Sequence, residues 1–118
     1  MERIGQRKRN LPAPPHAVSD DLVNPHRSAV RPWLILLDDE MEPEVLDSRA
    51  PDRVAWSSLW KRRPDARIHF ELADADGGTD LMWTLDVDGE LPDASLTGHL
   101  RKRMNVLINA NLRFTYGA

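Results

Sequence analysis

The clearest hydrophobic pattern in this chain has a period of two. In "ARIHFELA", Ile68, Phe70 and Leu72 alternate with Arg67, His69 and Glu71. In "TDLMWTLDV", Leu81, Trp83, Leu85 and Val87 alternate with Asp80, Met82, Thr84 and Asp86. Such alternation marks strands with one face in a core and the other in water. "DADGG" between them offers glycines for the positive backbone angles of a hairpin turn. "RVAWSSLWK" extends the pattern, with Val54, Trp56, Ser58 and Trp60 on one face. "EPEVLDSRA", closed by Pro51-Asp52, is a further strand candidate of mixed polarity. Four antiparallel meander strands are therefore expected between Glu42 and Val87.

The period changes on both sides of the meander. Asp93 suits a helix cap, and beyond it Leu96, Leu100, Met104, Leu107, Asn111 and Phe114 recur every three or four residues. The spacing predicts one helix of about six turns, stopped near Gly117. Upstream, Arg3 to Leu11 is a weaker strand, with only Ile4 and Leu11 strongly apolar. "LPAPPHAV" then turns strand into helix, because Pro14 and Pro15 suit a helix start and lose no intrahelical bond there. Val18 and Leu22 share one side of that helix, and Asn24-Pro25 ends it. "PHRSAVRPWLILLDDE" reads as a second short helix, interrupted or restarted at Pro32. Its run from Trp33 to Leu37 is expected to pack against the strands.

The order of elements predicts an α+β fold with an antiparallel sheet of about five strands. The long C-terminal helix is the only element large enough to cover the sheet's apolar face, and the two short helices after strand one plug its end. Trp56, Trp60, Phe70 and Trp83 then approach the enclosed space from the sheet, and Leu100, Met104, Leu107 and Asn111 from the helix. These large rings serve equally as core, each contributing about 2–3 kcal/mol by burial, or as the wall of a pocket. Ser58, between two tryptophans, either bonds to backbone or offers a handle to a ligand. Asn111, in an apolar stripe, needs partners and so serves either structure or ligand orientation. Arg9 shares a strand face with Leu11 and is the one cation that could face inward.

Composition narrows the function classes. The 118 residues are expected to form one domain, 1–118, large enough for a single core. There is no cysteine, which excludes disulfides and thiolate metal sites. No apolar run approaches the length of a membrane span, so a cytoplasmic protein is the default expectation. Basic runs such as Lys61–Arg62–Arg63 are balanced by Asp38, Asp39, Glu40, Glu42 and Glu44, and the net charge is −3, so no nucleic-acid partner is expected. His16, His26, His69 and His99 lack zinc-pair spacing, and no phosphate loop, dinucleotide fingerprint or nucleophile elbow is present. No metal and no cofactor are therefore expected.

Three stretches carry a family resemblance. "LPAPPHAVSDDLVNPHR" resembles the opening of the SRPBCC superfamily, also called START-like or polyketide-cyclase-like. "EPEVLDSRAPDRVAWSSLW" is similar to its proline turn before an aromatic strand, and "RIHFELADADGGTDLMWTL" to its Gly-Gly-Thr hairpin. The resemblance implies the helix-grip fold, a curved sheet wrapped around the C-terminal helix. The chain departs from the pattern at Ser19, where the family has a bulky aromatic. Its first strand is also less apolar, and one early hairpin is missing, which shortens the sheet to five strands.

By resemblance, the leading expectation is non-enzymatic binding of a small hydrophobic or aromatic molecule between sheet and helix. Its site would be Trp56, Ser58, Trp60, Phe70, Trp83, Leu100, Met104, Leu107 and Asn111. One alternative is a cyclase- or dehydratase-type enzyme in the same cavity, with Ser58, Asn111, Arg9 or Asp47 moving protons. Another is a protein-interaction module related to heat-shock-protein ATPase activators. The expected partner is the small hydrophobic ligand, with homodimerisation through the exposed sheet edges left open.

Overall fold

The structure, a computed structural model, describes residues 1–117. Five strands, β1 (Glu2–Leu11), β2 (Val45–Arg49), β3 (Arg53–Trp56), β4 (Arg67–Ala75) and β5 (Gly78–Val87), form one antiparallel sheet. Their order is β1-β5-β4-β3-β2, so the meander runs as expected and β1 closes onto its far side. The inward side chains meet in register: Ile68 opposite Leu85, Phe70 opposite Trp83 and Leu72 opposite Leu81. The α+β, helix-grip arrangement is thus present.

The β4–β5 turn is tighter than the five-residue "DADGG". Only Asp76 and Gly77 lie outside the strands, with φ of 51° and 84°, the two positive angles of a type I′ hairpin. Gly78 is already in β5, and an added Cβ there would lie 2.7 Å from the Leu11 carbonyl oxygen. Gly78→Ala should therefore push β1 from β5 and cost on the order of 1–3 kcal/mol, measurable by urea denaturation. The Thr79 hydroxyl donates to the Ala13 carbonyl at 2.7 Å, which pins the proline-rich joint after β1 to the same sheet end.

Helix α1 (Pro15–Val23) begins at that joint, with Pro14 extended before it. It buries Val18 and Leu22, and the Trp56 indole N–H donates to the Leu22 carbonyl at 2.9 Å. No second short helix follows. Residues 24–40 hold only turns, bends and a single bridge, and Pro25 and Pro32 each remove a backbone donor that a helix would use. The run from Trp33 to Leu37 is instead an extended strap: Trp33 and Leu34 are buried, Ile35 and Leu37 exposed. Two distant side chains and one nearby satisfy its backbone. Asn111 donates to the Trp33 carbonyl at 3.2 Å, Arg103 to the Ile35 carbonyl at 2.9 Å, and Glu40 accepts from the Leu37 N–H at 2.8 Å.

Two other expectations shift. β3 ends at Trp56 rather than Lys61, because the Ser58 hydroxyl accepts from the Trp60 N–H at 2.9 Å and donates to the Arg63 carbonyl at 2.7 Å. Local bonds of this kind compete with the sheet ladder. The C-terminal helix starts as expected, with α2 (Ala94–Asn105) capped by Asp93, which accepts from the Leu96 N–H. It then widens into a π-helical stretch (Val106–Leu112) before a last turn (Arg113–Thr115). The wider turn rotates the apolar stripe. Leu100, Met104, Leu107, Ile108 and Leu112 are buried, Asn111 is half-buried, and Phe114 is 77% exposed.

Candidate functional site

The space between sheet and helix is occupied by the protein's own side chains. Trp56, Trp60, Phe70, Trp83, Leu100, Met104 and Leu107 all belong to one buried core cluster. Trp56 is stacked on Trp33 with centroids 6.0 Å apart and meets Phe70 edge-on at 4.8 Å. Ser58 is buried with them, but its hydroxyl is committed to the Trp60 and Arg63 backbone. Arg9 is half-buried and donates to the Asn105 side chain at 3.1 Å, tying β1 to the helix, while Asp47 is exposed on the edge strand β2. The expected site residues are thus brought together, except Asn111, which has rotated toward the strap.

Open apolar surface lies elsewhere. Between the strap and the outer face of the C-terminal helix runs a groove of about 750 Å³. Val30, Pro32 and Ile35 line one side, Ala110 and Phe114 the other, with Asn111 at its floor. Val30 is 88% exposed and Ile35 56%, which makes the groove's apolar rim accessible to a partner. The π-helical stretch supplies Ala110 and Asn111, and such stretches occur often at functional sites. Of these residues, only Asn111 was expected at a site. Phe114 was read as part of the buried stripe, and the strap as helix. The usable signal was the lack of any period in "AVRPWLILL".

A second depression, about 450 Å³, adjoins the groove and shares Val30, Arg31 and Thr115 with it. Asp21, Arg27, Ser28, Ala29, Trp33 and Tyr116 complete its lining. Asp21 is engaged at both oxygens: Arg27 donates to one, and the Tyr116 hydroxyl donates to the other at 2.6 Å. Burial and that bond to Asp21 hold the Tyr116 hydroxyl far above the ordinary tyrosine range.

The strap is held by an ion pair. The fully buried Glu40 carboxylate accepts from Arg103 Nε at 2.8 Å and Nη2 at 2.9 Å. Burial alone would raise its pKa, but the bonds from Arg103 and the Leu37 N–H prevail and hold it below the usual carboxylate value. His99 Nε2 lies 3.1 Å from Asp39 one residue away, a second tie between helix and strap. Among the described residues, no helix is long and apolar enough to cross a membrane.

A five-stranded antiparallel sheet with one short helix after β1 and a long terminal helix defines a helix-grip fold, and solved structures share it. The chain is similar to the crystal structure of CalU16 from Micromonospora echinospora, with a TM-score of 0.71 and 16% identity over 95% of this chain and 73% of that one. It is also similar to the solution structure of the Aha1 dimer from Colwellia psychrerythraea, with a TM-score of 0.69 and 15% identity over 96% and 94% of the two chains. Ara h 8.0201 matches at a TM-score of 0.51 and 11% identity over 90% and 92%. No family model matches the sequence, and no curated protein is similar to it. At these identities the likeness shows the fold.

Proposed function

We propose that this chain is a non-catalytic binding protein, one START-like domain, that takes a small hydrophobic or aromatic molecule in the groove between strap and C-terminal helix. The observation that carries this reading is the contrast between the two apolar surfaces. The grip interior is filled by tryptophan and leucine, whereas Val30, Ile35 and Phe114 stand exposed around a groove of ligand size. Chemistry finds little support there, since no histidine, aspartate or glutamate is among the residues lining the groove, and Asn111 and Thr115 donate to the Trp33 and Leu112 carbonyls.

Titration with N-phenyl-1-naphthylamine, an uncharged fluorescent probe, tests the reading. Saturable enhancement is expected, weakened at least about tenfold by Phe114→Ser with no fall in melting temperature. Binding indifferent to Phe114, or no binding, would reject the groove. The dimer formed by the Colwellia protein favours a second reading, in which two copies of this chain associate. Sedimentation across a concentration series separates monomer from dimer.

A further inference from the structure

The geometry points to an acidic head group on that ligand: a hydrophobic or aromatic molecule whose carboxylate or sulfonate sits at Arg31 while its body lies on Val30, Ile35 and Phe114. The inference rests on the groove reading and adds the chemical class of what fills it. Arg31 lies where the apolar groove meets the adjoining depression and lines both. Its Nη1 donates to the Thr115 carbonyl at 2.9 Å, which anchors the guanidinium against the helix end and leaves other N–H groups to bind.

Arg27, Arg63 and Arg103 each have a carboxylate partner, in Asp21, Asp65 and Glu40. Arg31 has none within ion-pair distance among the described residues. The depression beside it is rich in donors. It holds the Arg27 guanidinium and Trp33, whose buried indole N–H has no acceptor among the described residues. Its own carboxylate, Asp21, is already taken by Arg27 and Tyr116. A guanidinium with N–H groups to spare, with Arg27 in the adjoining depression and an apolar groove running up to it, together match an amphipathic anion.

A matched probe pair tests this. 8-Anilinonaphthalene-1-sulfonate has the ring system of N-phenyl-1-naphthylamine plus one sulfonate. At low salt the sulfonate is expected to bind wild-type protein about tenfold more tightly or better. Arg31→Gln should weaken the sulfonate about tenfold more than it weakens the neutral probe, and added salt should weaken the sulfonate alone. Equal affinity of both probes for wild type would overturn the acidic head and leave the groove standing. Equal weakening of both by Arg31→Gln would likewise overturn it, since the arginine would then be shaping the groove rather than reading charge. If neither probe binds, groove and head group fall together.

Discussion

Trp56→Ala is expected to lower the free energy of unfolding by about 3–5 kcal/mol. Trp56 has no solvent exposure and joins three elements. Its ring stacks on Trp33 of the strap and meets Phe70 of β4 edge-on, while its N–H satisfies the Leu22 carbonyl at the end of α1. Alanine leaves a large void and an unpaired carbonyl in an interior that cannot collapse to fill it. Trp56→Phe should cost less, because it keeps an aromatic surface and loses mainly the hydrogen bond. Urea denaturation gives both values, with an unchanged slope if the denatured states are alike.

Arg103→Met should be comparably severe, at about 3–5 kcal/mol near neutral pH, because it strands the Glu40 carboxylate without a cation. Replacing both partners, as in Glu40→Met with Arg103→Met, should recover much of the loss, since no charge then remains buried. The pH dependence has opposite signs in the two proteins. In wild type, the Glu40 pKa is lower folded than unfolded, so its contribution is present above the unfolded value and is lost as pH falls through the folded one. In Arg103→Met, only the Leu37 N–H still opposes burial, the largest effect on this carboxylate, and the folded pKa rises above the unfolded one. That variant should therefore gain stability on acidification from pH 7 towards pH 5, where wild type does not.

Much of the sheet was legible because its signal is local. Ile68, Phe70 and Leu72, facing Leu81, Trp83 and Leu85, alternate strictly enough to specify both register and buried face. The strap was not legible for the opposite reason. Five consecutive apolar residues from Trp33 to Leu37 carry no period, and the bonds that hold them extended come from Arg103 and Asn111, far away in sequence. The helix stripe was read with a constant 3.6-residue period, which fails once the helix widens at Val106. That single change moves Phe114 from the core to the groove. Composition could not settle whether the tryptophans form wall or core, because both uses require the same rings. All of them join the buried core, with Trp56 stacked on Trp33 of the strap, and together these side chains fill that space.

In the proposed reading, ligand binds on the strap–helix groove and not within the grip. Amide and indole N–H chemical shifts recorded during titration with N-phenyl-1-naphthylamine test it most directly. Shifts confined to residues 30–35 and 110–117, with the Trp60 and Trp83 indole signals unmoved, are the expected result. Shifts concentrated on those two indoles and on the inward face of β4 and β5, with Val30 and Phe114 unaffected, would contradict it and return the site to the sheet–helix interior.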